Sequence, residues 1–199
     1  MTSAIPPTGP IASHGEGHVN HSLTGFIIFL CSESVIFLAF FSGFAVLKTS
    51  ALNWLPAGVE GLEWRMPLIN TVVLVSSSGT IWLAEQFKAR ENIWGFRAFW
   101  LLTMALGAYF LYGQAVEWSG LSFAFTSGVF GGTFYLLTGF HGLHVATGVL
   151  LMTLMLVKSF IPGNYAKGEE GVQATSLFWH FVDVIWIILF VLIYVWQRS

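Results

Sequence analysis

Five titratable side chains lie inside apolar runs long enough to cross a membrane. His180 and Asp183 stand three positions apart in FWHFVDVIWIILFVLIYVW (178–196). His141 and His144 are spaced the same way in GFHGLHVATG (139–148), and Glu33 sits in GFIIFLCSESVIF (25–37). Residues at i and i+3 share a helix face, so each spaced pair works on one side of its helix. An ionisable group in hydrocarbon costs at least ~2.5–3.5 kcal/mol on insertion scales, so it faces protein and needs a partner.

Several chemistries use such residues. Imidazole is a common metal and haem ligand, so His141 or His144 with His180 could form a single bis-histidine site. Alternatively the histidines pair with Glu33, or with His180 and Asp183, or bond to backbone carbonyls. Spacing alone favours a hydrogen-bonded network over a ligand set. His180 and Asp183 read as a relay, an ion site, or a structural pair in which Asp183 holds one histidine tautomer; the structural pair is preferred. Glu33 lies about 11 residues into its helix, roughly 16 Å deep at 1.5 Å per residue. There it is either a proton-linked carboxyl or a buried glutamate that locks packing, and both readings stay open.

The elements that must position these groups follow from composition. The 199 residues are 55% hydrophobic and only 9% charged, with mean hydropathy +0.73, whereas a soluble domain carries roughly 25% charged residues. This predicts an all-α polytopic membrane bundle. A net charge of −2 gives no footing for nucleic acid, and the single Cys31 excludes an internal disulfide and a paired-thiolate metal site. Residues 1–21 are polar, hold Pro6, Pro7 and Pro10, and lack the basic start of a signal peptide; they are expected to be a mobile tail, with His14, His18 and His21 solvated.

Residues 22–199 are expected to form one membrane domain of five transmembrane helices, at about 22–47, 66–86, 95–117, 127–157 and 174–197, each near the ~20 residues a span needs. Pro67 suits a first helical turn. Basic residues near helix ends set orientation. Lys88, Arg90, Arg97, Lys158 and Lys167 fall on one side, against Lys48, Arg65 and Arg198 on the other, which puts the N-terminus in the cytoplasm. Trp54, Trp64, Trp94, Trp118 and Trp196 fall near the expected interfaces, as an aromatic belt requires. Thr138, Gly142 and Ala146 repeat at four-residue spacing, which suits close helix packing. The run Ser76-Ser77-Ser78-Gly79-Thr80 suits packing or an interhelical hydrogen bond. No phosphate loop, oriented nucleophile or CxxC is present; the chain reads as a partner in a larger assembly, with no catalytic residue and no metal site of its own.

The segments GFHGLHVATG (139–148) and FWHFVDVIW (178–186) resemble the signature segments of subunit III of the haem–copper terminal oxidases. GFIIFLCSESVIF (25–37), INTVVLVSSSGTIW (69–82) and FTSGVFGGTFYLLTGFHGLHV (125–145) match that family in order and spacing, so the resemblance runs from about residue 22 to the end. It implies a subunit without redox cofactors, packed on catalytic subunit I, which holds two haems and a copper, and accompanied by subunit II. A cytochrome c-type donor would dock on another subunit. Family members sustain proton uptake, protect the catalytic subunit during turnover, and bind phospholipid in a cleft. By this resemblance Glu33 matches the family's carbodiimide-reactive carboxylate, and His141, His144, His180 and Asp183 match its polar positions, paired with Glu33 or with each other. The chain is similar to the short, five-helix bacterial form. It lacks the two helices that flank the cleft in longer members, so lipid-binding residues do not carry across.

The function implied is the non-redox subunit III of an aa3-type cytochrome c oxidase that reduces dioxygen to water and pumps protons. Its place is a multi-pass one in the bacterial cytoplasmic membrane or an internal respiratory or thylakoid membrane. A quinol oxidase subunit III is the alternative within the family. A membrane cytochrome b anchor and a proton-coupled carrier are the rivals outside it.

Overall fold

The structure, a computed structural model, describes residues 21–56, 59, 61–161 and 169–196. The tail expected over 1–21 lies outside the described residues except for His21, as do Lys167 and Arg198. Five long helices follow one another: α1 (His21–Ser50), α2 (Arg65–Ala89), α3 (Ile93–Gly120), α4 (Gly128–Lys158) and α5 (Glu169–Phe190). The last continues through a wider π-helical turn, Val191–Val195. All five are long and apolar enough to cross a membrane, and the described residues contain no strand. Helices close every backbone hydrogen bond within the segment, which is the condition for spanning hydrocarbon.

The helices run a little beyond the apolar runs that announce them. Nowhere is this clearer than between α2 and α3, where the expected spans leave residues 87–94 between them but the structure turns within three residues, 90–92. The Glu91 N–H donates to the Lys88 carbonyl and the Asn92 N–H to that of Phe87, both at 2.9 Å. Glu91 takes a positive φ of 58°. This is a Schellman ending, held here without glycine. Asn92 closes that motif and caps α3 as well, its side chain accepting from the Gly95 N–H at 2.9 Å. One residue thus ends α2 and starts α3, and the pair forms an antiparallel hairpin.

Helices α2, α3, α4 and α5 contact one another in a closed ring, and α1 lies outside it against α4 and α5. Half of the α5 span is buried but only 11% of the α1 span. The outer faces carry Ile28, Val35, Leu38 and Val46 on α1 and Leu143, Leu150 and Val157 on α4, all exposed, as lipid or apolar partners require. The interior is aromatic: Trp100, Trp179, Trp186, Phe96, Phe110 and Phe134 are fully buried. Each of the three indoles donates across a helix interface, Trp100 to the Met152 carbonyl at 2.9 Å, Trp179 to the Ser77 hydroxyl at 2.8 Å and Trp186 to the Thr71 hydroxyl at 2.9 Å.

Only one member of the small-residue stripe on α4 is buried within this bundle. Thr138 is buried and donates to the Phe134 carbonyl at 2.7 Å. Gly142 has open space beside it, and Ala146 is exposed. A four-residue step advances about 40° around the helix beyond a full turn, so the stripe walks off the buried face. That face instead follows alternating steps of three and four: Thr138, His141, Val145, Gly148, Met152. The close approach uses Gly107 and Gly148, where an added Cβ would meet the Trp179 ring at 2.5 Å and 2.7 Å. Gly148→Leu is therefore expected to destabilise the detergent-solubilised protein by about 1–3 kcal/mol through overpacking, read as a lower melting temperature. Gly142→Leu, on the open face, should leave that temperature nearly unchanged.

Candidate functional site

The five expected polar groups occupy three separate pockets. In the first, Glu33 of α1 meets His144 of α4: Glu33 Oε2 lies 3.3 Å from His144 Nε2, with side chains 17% and 12% exposed. His144 Nδ1 is 2.8 Å from the Phe140 carbonyl. A carbonyl only accepts, so Nδ1 carries a hydrogen. The Nε2 contact to a carboxyl oxygen then needs one further proton, on the carboxyl or on the ring. The pair is a shared-proton unit, either imidazole with carboxylic acid or imidazolium with carboxylate. Aromatic rings enclose it, with Phe140, Phe37 and Phe178 centred 4.7, 5.0 and 6.1 Å from the His144 ring.

The second pocket joins α2 to α5. His180 and Asp183 share a helix face, and Ser78 of α2 stands between them. Its hydroxyl donates to Asp183 Oδ2 and lies 3.0 Å from His180 Nδ1. Because the hydroxyl hydrogen goes to the carboxylate, the oxygen accepts from His180 Nδ1–H. Ser78 of α2 thus bridges His180 and Asp183 of α5. Asp183 is 4% exposed, and its Oδ1 has no partner among the described residues.

His141 occupies the third pocket, fully buried. Its ring stacks on Trp186 at 4.9 Å and meets the Phe110 edge at 5.7 Å; neither nitrogen has a hydrogen-bond partner among the described residues. HGLH thus sends its two imidazoles to different neighbours, His144 towards α1 and His141 into the ring of four helices.

Two polar groups escaped the sequence reading. Ser78 was visible only as one of a run of hydroxyls. Glu117, near the end of α3, accepts from the Tyr194 hydroxyl at 2.7 Å through Oε1 and from Gln114 Nε2 at 2.9 Å through Oε2. A carboxylate at the end of an apolar run looks like an interfacial residue, so nothing in the sequence marks it. At the bundle's ends, Lys48 donates to the Trp196 carbonyl and lies 4.2 Å over that ring. Arg97 binds the Ser159 hydroxyl at 3.0 Å and its carbonyl, packed 4.0 Å over Phe160. Among the described residues no group of three or more His, Cys, Asp or Glu side chains could hold a metal ion.

The sequence profile of cytochrome c oxidase subunit III matches residues 10–198. The chain belongs to the cytochrome c oxidase subunit III family. It is 39% identical over 192 residues to the cytochrome c oxidase subunit 3 of Thermostichus vulcanus, covering 96% of this chain and 95% of that protein. To the Synechocystis sp. protein of the same name it is 38% identical, over 93% and 80% of the two chains. To that of Pan troglodytes it is 37% identical, over 86% and 68%.

Ser78→Ala removes the donor to Asp183 and the acceptor of His180 together, while Ser78→Thr keeps both. The alanine variant is expected to lose about 1–3 kcal/mol, the penalty for unsatisfied buried polar groups; the threonine variant should recover most of it. Thermal unfolding of the purified protein compares them directly.

Proposed function

We propose that this chain is the non-redox subunit III of a proton-pumping, aa3-type cytochrome c oxidase, packed on a haem- and copper-bearing subunit I beside subunit II. Family membership over nearly the whole chain carries the reading. The Glu33–His144 pair supports a proton-linked role for Glu33. It holds one exchangeable proton in a desolvated aromatic pocket, and its edge opens on the α1–α4 surface. The other polar pocket, Ser78 with His180 and Asp183, acts as a structural pin between α2 and α5. Neither needs a catalytic centre in this chain. The excess of basic residues in the α2–α3 and α4–α5 connections supports an N-terminus in the cytoplasm of a bacterium.

The membrane cytochrome reading fits less well. A haem needs two imidazoles facing one another across a gap. Here His144 is committed to Glu33 and the Phe140 carbonyl, His180 to Ser78, and His141 lies flat on Trp186.

Purification in mild detergent, with mass spectrometry and an absorption spectrum on one sample, tests the assignment. The expected result is a large haem-bearing subunit, dioxygen consumption driven by reduced cytochrome c, and no haem on this chain. A lone chain carrying its own haem would overturn it. For Glu33, two substitutions separate the roles. Glu33→Gln keeps a donor to His144 Nε2 but cannot ionise. It should assemble normally while slowing proton uptake or shortening the catalytic lifetime of the oxidase. Glu33→Ala strips the partner and is expected to destabilise the α1–α4 contact by about 1–3 kcal/mol as well. Unchanged proton uptake and lifetime in the glutamine variant would reduce Glu33 to packing.

A further inference from the structure

A groove of about 350 Å³ runs between the start of α2 and the end of α3, away from the three pockets above. Its walls are largely apolar, with Met66 and Val116 among them. Glu117 is set into those walls. Each of its oxygens accepts from a neutral donor, the Tyr194 hydroxyl at 2.7 Å and Gln114 Nε2 at 2.9 Å. Both oxygens keep lone pairs to spare, and neither donor carries a charge to offset that of the carboxylate. Glu63, which is exposed, stands on the same groove, and no lysine, arginine or histidine lines it. A carboxylate at the edge of hydrocarbon is costly without a cation beside it. Tyr109 and Tyr112 flank the groove, 49% and 69% exposed, with rings whose faces attract cations.

We propose that this groove is the docking site for an arginine side chain of a neighbouring subunit. The two parts of the groove match the two parts of that side chain, an apolar stem against Met66 and Val116 and a charged head at the carboxylates. A guanidinium presents five N–H groups in a planar fork, enough to meet Glu117 and Glu63 together, and its face stacks on an aromatic ring. A lysine ammonium would act as a point charge and bring a tighter hydration shell into an apolar groove. Arg97 shows the same chemistry elsewhere in this chain, its guanidinium 4.0 Å over Phe160 and 5.4 Å over Trp94. The acceptor is also held in place. Tyr194 stands on the π-helical turn that closes α5 and Gln114 one turn back on α3, so two elements fix the Glu117 carboxylate before a partner arrives. The inference rests on the reading of this chain as a subunit of a larger complex, and names one place where that complex is joined.

Cryo-electron microscopy of the purified native complex tests the site directly. The expected result is an arginine of another subunit in the groove, its guanidinium within salt-bridge distance of Glu117. Glu117→Gln keeps the shape of the site and removes its charge. It is expected to weaken retention of this chain in the complex about tenfold, equivalent to about 1.4 kcal/mol, read as subunit stoichiometry on dilution in detergent. Exchanging the charges, Glu117→Arg here and arginine to glutamate in the partner, should restore retention, which a purely internal role for Glu117 would not allow. If the variants do not accumulate, the native complex alone decides. A lysine, a lipid or no group at Glu117 in an otherwise intact complex would overturn the docking site and leave the subunit assignment standing. A chain that purifies without any partner would overturn both.

Discussion

The seam between α2 and α5 sets the register of the bundle, because hydrocarbon supplies no alternative partner for the polar groups along it. Going down α5, Trp186 donates to Thr71, Asp183 accepts from Ser78, and Trp179 donates to Ser77. From the Trp186 end of this seam to the Trp179 end, the α2 partner moves from Thr71 to the Ser77–Ser78 pair, the trend of antiparallel helices. A slide of one residue would empty all these bonds together. In water each would be worth only ~0.5–1.5 kcal/mol net, since solvent would replace the lost partner, but a buried donor left unpaired suffers the full desolvation penalty. The seam therefore acts as a specificity device. Trp179 adds a steric lock, its ring seated between Gly107 of α3 and Gly148 of α4, so the α2–α5 register also positions the other two helices of the ring.

Against that rigid ring, α1 is held by few groups. Its least exposed residues, Phe37 and Phe44, pack on Phe140, Phe181 and Trp54. Its polar ties are the Glu33–His144 pair in the interior and Lys48 on the Trp196 carbonyl at one end. The Glu33–His144 contact is thus the polar tie that fixes α1 against α4 within the span, with the Phe37 and Phe140 rings packed around it.

How much of this the sequence made legible differs by feature. Five spans were readable because apolar runs of membrane length leave few alternatives. The need of Glu33, His144, His180 and Asp183 for partners was readable from the hydrocarbon around them. Partner identity was not: i and i+3 spacing places His180 and Asp183 on one face but cannot show that a serine from α2 stands between them. The hydroxyl run 76–80 named Ser78 as one of several equal candidates. The turn at 90–92 was hidden because charged residues at helix ends read as loop, although at the membrane surface a helix carries them without penalty. Glu117 carried no signal, because a polar residue within two turns of a span's end is unremarkable until its partners are known.

The separation of the pockets bears on what the subunit can do with a proton. Among the described residues no hydrogen bond links the Glu33–His144 pair to the Ser78–His180–Asp183 cluster, and His141 bonds to neither. Trp186, Phe110, Phe37 and Phe178 stand around the histidines in place of hydroxyls. Glu33 and His144, in contrast, keep a little exposure on the outer face between α1 and α4. The two polar contacts therefore join different helix pairs, α1 to α4 and α2 to α5, and each holds its own part of the bundle.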